Sequence, residues 1–328
     1  MKWTAFLAFL LVDTFTFLSF AQAQTALTAD QNSSTHSAAW PSLGVGSNPQ
    51  EVAQSLEMGP ELSRNLSPLE LIDQRRRLNS SLSDIERQTP GSVDAYVISI
   101  ALDSDPVFAR EAREVGTVLA RRYGASRRLL VLSGQANGED DLPHGSISSL
   151  MVALASIAEK MDREEDVLVL YSTSHGTPQG LAYHYGNEGY GILSPKLLKE
   201  AFEELGIQRR IILLSACYSG IFVPFLDTDE TAIITASAAN RTSFGCQPDN
   251  DWTFFGDALV NRALRKKQGL LMAHREAVRS IADWESRMRL PASLPQARIG
   301  VGAQAWLSVL EANIPISDTD PVGRPSIP

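Results

Sequence analysis

From Val93 onward the apolar positions alternate between two patterns. Short continuous runs, rich in β-branched residues, occur at Val93–Ala101, Leu129–Leu132, Asp166–Tyr171, Ile211–Leu214 and Ala232–Thr235. Between them lie stretches with helical spacing. One carries Phe108, Val115 and Leu119, and the next carries Ile147, Leu150, Met151, Leu154, Ile157 and Met161. A third carries Leu197, Ala201, Phe202 and Leu205; Ser194-Pro195 caps it and Gly206 stops it. A strand buried on both faces needs a continuous apolar run, and the amphipathic helices supply the cover. The pattern predicts an α/β fold with a mostly parallel central sheet, and helices dominate from about Trp252 to Met288.

The flanks read differently. Lys2 precedes an apolar run from Ala5 to Phe20, broken by Asp13, and Ala21-Gln22-Ala23 follows. This predicts a signal peptide over residues 1–23 and a secreted or periplasmic mature chain starting near Gln24. An uncleaved N-terminal anchor is the alternative. No later segment is long and apolar enough to span a bilayer, so no stable membrane span is expected after cleavage. Residues 24–66, with little hydrophobic periodicity, read as a disordered linker. Residues 67–90 read as an N-terminal helix, with Ser67 as cap, Pro68 in the first turn and Glu70 completing a capping box. Leu71, Leu78, Leu82 and Ile85 recur on one face of it. Residues 91–312 form the main domain, and 313–328 an irregular, exposed tail.

Composition removes several functions. Among 328 residues the formal net charge is −9, which speaks against a generic nucleic-acid binder. The two cysteines, Cys217 and Cys246, are too few for a disulfide framework or a four-thiolate zinc site. The sequence has no glycine-rich dinucleotide fingerprint, phosphate-binding loop, His-Glu-x-x-His or Gly-x-Ser-x-Gly. No cofactor and no metal are expected.

In a parallel sheet, ligands gather beyond the carboxyl ends of the strands. The third strand ends in Tyr171-Ser172-Thr173-Ser174-His175-Gly176, and the fourth in Ser215-Ala216-Cys217-Tyr218-Ser219-Gly220. If these strands are parallel neighbours, His175 and Cys217 enter one crevice. A thiol becomes a useful nucleophile beside a histidine that manages its proton. A helix starting near Ser219 would also favour the thiolate. Gly176 lets backbone approach a substrate, and the amides of Gly176 and Cys217 are candidates for an oxyanion hole. Either motif alone is more often structural. Their combination on successive strand ends is what points to chemistry.

These two motifs resemble the histidine and cysteine motifs of the legumain family of cysteine peptidases. The resemblance extends through Leu193-Ser194-Pro195, Arg209-Arg210, the stretch from Thr235 to Cys246 and Trp252-Thr253-Phe254-Phe255-Gly256. It implies a caspase-like three-layer αβα sandwich and a dyad of His175 and Cys217. It also implies a specificity pocket between the first-strand loop, the cysteine strand and the loop after the fifth strand. Ser215 stands where the family carries an acidic residue, which puts asparagine preference in question. Asp251 could match the acidic residue of the later loop, its other reading being a helix cap. Arg110 could match the pocket arginine, its other reading being a solvated helix face. Cys246 is expected as a free thiol near the site. His36, His144, His184 and His274 are expected to be structural, with His184 alone near the crevice.

The expectation is a cysteine endopeptidase acting on peptide or protein substrates through a thioacyl intermediate. A non-catalytic scaffold and a transamidase using the same dyad are the rival readings.

Overall fold

The computed structural model describes residues 36–133 and 142–327. The segment at 1–23, expected as a signal peptide, lies outside the described residues. Six strands build the central sheet in the order β10-β9-β8-β4-β2-β3. They are β2 (Ala95–Ala101), β3 (Leu129–Leu132), β4 (Val167–Thr173), β8 (Arg210–Ser215), β9 (Thr231–Thr235) and β10 (Gln296–Ile299). All neighbours are parallel except β10, which runs antiparallel along β9.

The period of two along each strand divides the interior into two cores. Val97, Val169, Tyr171, Ile211, Leu213 and Ile234 face one side. There they meet α3 (Pro106–Arg122), a π-helical segment (Gly256–Ala263), α7 (Leu270–Met288) and α8 (Val301–Ala312). Tyr96, Ile98, Leu168, Leu170, Ile212 and Leu214 face the other. There they meet α2 (Pro68–Ser83), α4 (Ile147–Ala158), α5 (Pro195–Leu205) and the short α6 (Val223–Leu226). The result is the three-layer αβα arrangement that the pattern of apolar runs predicted.

Local signals act as their chemistry requires. Ser67 and Glu70 form the reciprocal capping box at the start of α2. Ser194 caps α5, and Gly206 ends it in the left-handed region at φ 66°. Leu78, Leu82 and Ile85 are buried, but Leu71 is 53% exposed, because the first turn of α2 projects beyond the core.

Residues 36–66 are not a featureless linker. Asn48 caps a helix, α1 (Pro49–Glu57), and β1 (Glu61–Ser63) joins a second sheet. That antiparallel sheet has the order β1-β7-β6-β5, with β5 (Gly176–Thr177), β6 (Gly180–Tyr185) and β7 (Gly189–Leu193). The segment buries few apolar side chains and is held instead by backbone pairing, Glu61 to Gly191 through Ser63 to Gly189. Such pairing leaves little trace in hydrophobic periodicity. Residues 313–327 carry no helix or strand, yet they are pinned: Val322 O accepts from Trp252 Nε1 at 2.9 Å.

Candidate active site

Strands β4 and β8 are parallel neighbours, with Thr173 opposite Ser215. His175 and Cys217 each stand two residues beyond that pair, so equal register carries both past the same sheet edge. Gly176 is packed against the backbone of Cys217. A Cβ there would lie 1.8 Å from the Cys217 carbonyl oxygen and 3.0 Å from its nitrogen. No side chain fits at that position.

Cys217 is a free thiol. Its Sγ accepts a hydrogen bond from Ser243 N at 3.2 Å and lies 3.5 Å from Ser243 O. Burial, then the charge of Cys246, push the thiol upward; Ser243 and His175 pull the other way. The expected helix after Cys217 is only a 3-10 turn (Ser219–Phe222) running into the four-residue α6. Aligned peptide dipoles are few in so short a segment, so its help to a thiolate is small. Tyr218, between the two, is left-handed at φ 57°, an uncommon state for a tyrosine. That bend turns the chain sharply away from the strand directly after the thiol.

His175 is partly open, with 23% of its side chain exposed. Phe108 packs edge-on against the ring, centroids 5.0 Å apart. Its Nε2 lies 4.0 Å from Asp105 Oδ2. Burial opposes charge on this ring, but polar contact with Asp105 and Cys246 outweighs it and holds the imidazolium well above the usual histidine range. Cys246 is a free thiol, near enough to the histidine to act on its charge.

Two acids here escaped the sequence reading. Asp103 and Asp105 are buried just beyond β2, on the other side of β4 from Cys217. The strand-end rule that singled out His175 and Cys217 applies equally to Asp103-Ser104-Asp105. Glu111 is also buried. It accepts from Tyr171 Oη at 2.5 Å and from Thr253 N at 2.7 Å, so it holds the helical turn before the π segment against β4.

The expected pocket residues fall into separate contacts. Ser215 is buried, its Oγ 2.9 Å from Thr253 Oγ1. Arg110 Nε lies 3.5 Å from Asp251 Oδ1, and its guanidinium also donates to Pro248 O and Asn250 O. Asp251 accepts from Arg324 N at 2.7 Å and thereby anchors the tail. Arg324 holds the Asp251 carboxyl below its usual range.

The remaining histidines divide. His144 is half-buried as a residue, and desolvation of its ring pushes it down to about 3, a neutral ring near Tyr183 and Tyr185. His274 is lowered by burial. His184 and His36 stack on one another beside Asp103.

Residues 151–288 match the Peptidase C13 family. The matched span contains both His175 and Cys217, and by it the chain is a cysteine-type peptidase. No curated protein matches the chain. Among solved structures it is similar to caspase-1 from Spodoptera frugiperda, at 13% identity and a TM-score of 0.45, over 66% of this chain and 92% of that one.

Proposed function

For a chain that carries the Peptidase C13 segment, we propose an endopeptidase in which Cys217 attacks the peptide carbonyl and His175 moves the proton. The observation that carries this reading is the shared register of the two residues beyond paired strands β4 and β8. Neutral His175 takes the thiol proton as sulfur attacks, and the imidazolium then protonates the leaving amine. Water hydrolyses the thioester, with His175 again as base. The amides of Gly176 and Cys217 hold the oxyanion; their backbones already touch. Asp105 orients the His175 ring and stabilises its charged form.

Arg110 and Asp251 border the specificity pocket in this reading, and Ser215 forms part of its buried wall. Arg110 and Asp251 compensate one another's charge, so the pocket selects by shape and hydrogen bonding. The chain acts after export, as its N-terminal segment implies, and the mass of the mature protein tests that separately.

Cleavage of a peptide library by wild type, Cys217→Ala and Cys246→Ala tests the dyad. Loss in Cys217→Ala with retention in Cys246→Ala is the expected result. The reverse would make Cys246, which also acts on the charge of His175, the nucleophile. Retention in both would leave a scaffold with a contaminating protease. Products formed with an added amine separate hydrolysis from transamidation.

A further inference from the structure

His36, Asp103 and His184 converge from three distant parts of the chain. His36 precedes α1, Asp103 follows β2, and His184 lies in β6. One ligating atom from each falls within 4.8 Å of the others. The proton inventory of this group is unusual. His36 Nδ1 lies 3.1 Å from Gly186 O, which can only accept, so Nδ1 carries a hydrogen. His36 Nε2 then faces Asp103 Oδ1 at 3.0 Å. In a neutral ring this sets a lone pair against a carboxylate, and only a cation, a proton or a metal ion, reconciles them.

The other half of the group is unsatisfied. Among the described residues, Asp103 Oδ2 is buried without a hydrogen-bond partner, and so is His184 Nε2. His184 Nδ1 lies 4.0 Å from Asp103 Oδ2. That gap is too long for a hydrogen bond; a tetrahedral ion with bonds of about 2.0–2.1 Å sets its donors roughly 3.3 Å apart, so binding would draw the two groups together by some tenths of an ångström. The stacking of the imidazoles, centroids 3.3 Å apart and 11° from parallel, presents both rings to the same carboxylate.

A second shell is also in place. The Gly186 carbonyl fixes the tautomer of His36, and Asp105 N donates to Asp103 Oδ1 at 2.8 Å. Two imidazoles and a carboxylate suit Zn²⁺ and similar first-row cations and do not suit Ca²⁺ or Mg²⁺.

We propose that His36, Asp103 and His184 form a transition-metal site that clamps the N-terminal segment onto the ends of β2 and β6. The clamp uses neither Cys217 nor His175, so it stands or falls apart from the peptidase reading.

The test is a Co²⁺ titration of the full mature chain, followed by absorption, with Zn²⁺ as competitor. The expected result is one equivalent bound, visible ligand-field bands, no thiolate-to-cobalt charge transfer, and displacement by Zn²⁺. His36→Ala, in the peripheral segment, should weaken binding by at least tenfold with unchanged circular dichroism. Asp103→Asn is the second variant. Zn²⁺ should also slow amide exchange at residues 36–40 in wild type but not in His36→Ala. Absence of binding would overturn the proposal and leave a His36–Asp103 ion pair. Binding with a thiolate band, or binding unchanged in both variants, would move the metal elsewhere and overturn it equally.

Discussion

Cys217 and His175 share their crevice with a second thiol and an acid, and both neighbours act on protonation. Asp105 raises His175, while Cys246 raises both His175 and Cys217. In the proposed mechanism the competent dyad has lost one proton, so kcat/KM should climb with pH through a value above histidine's usual 6.5. Removing Asp105 withdraws what holds the imidazolium up. Asp105→Asn should therefore shift that limb to lower pH and reduce kcat through loss of ring orientation. Cys246→Ala should shift it the same way while sparing kcat. Steady-state pH profiles of the three proteins check this; an unmoved limb in Asp105→Asn would remove Asp105 from the site. At this scale the sequence pointed to His175 and Cys217 because His-Gly and Cys-Tyr-Ser-Gly follow apolar runs directly. It hid Asp103 and Asp105, since short polar residues after a strand read as an ordinary turn. It hid the packing of Ser215 against Thr253, because that contact joins residues far apart in sequence.

Among the elements, strands and the caps of α2 and α5 were legible, each with a local cause: a continuous apolar run, a hydroxyl before proline, a glycine after the last turn. Gly206 isolates one such cause. It is left-handed at φ 66°, and a Cβ there would meet nothing nearer than Arg163 at 3.5 Å. Gly206→Ala should destabilise by roughly 1–2 kcal/mol from backbone conformation alone. Urea unfolding with an unchanged m-value reads that loss, and Gly206→Asn should lose less. Elements held by tertiary pairing were not legible. β1 is three residues with an exposed face, stabilised by its register with β7, and α1 has no fully buried residue. The expected helix after Cys217 fails for a local reason too, since Pro224 and the left-handed Tyr218 confine it to a few residues.

For the whole molecule, the tail behaves as a brace. Besides Val322 on Trp252, Ser326 N donates to Asp257 Oδ2 at 3.0 Å, and Arg324 holds Asp251. Trp252 and Asp257 are buried, so losing the tail strands polar atoms in the interior. A chain ending at Ser317 should lose about 1–3 kcal/mol and melt roughly 3–8 °C lower. Differential scanning fluorimetry checks this, and an unchanged Tm would show the contacts to be incidental. The tail was read as irregular, which describes its backbone; its role depends on partners near residue 252 that no local pattern could supply.

The pairing of β4 with β8 has a consequence for timing. The separation of the two reactive side chains is set by one strand spacing, and their alignment by the hydrogen-bond ladder from Leu168–Arg210 to Thr173–Ser215. Neither chain end nor flexible loop can assemble them alone. Such nonlocal parallel pairing forms late, after its loop-closure entropy has been met. In the proposed mechanism a nascent chain therefore holds its histidine and its thiol apart, and cutting power arrives only with the finished sheet. On that mechanism the architecture itself delays proteolysis until folding is complete.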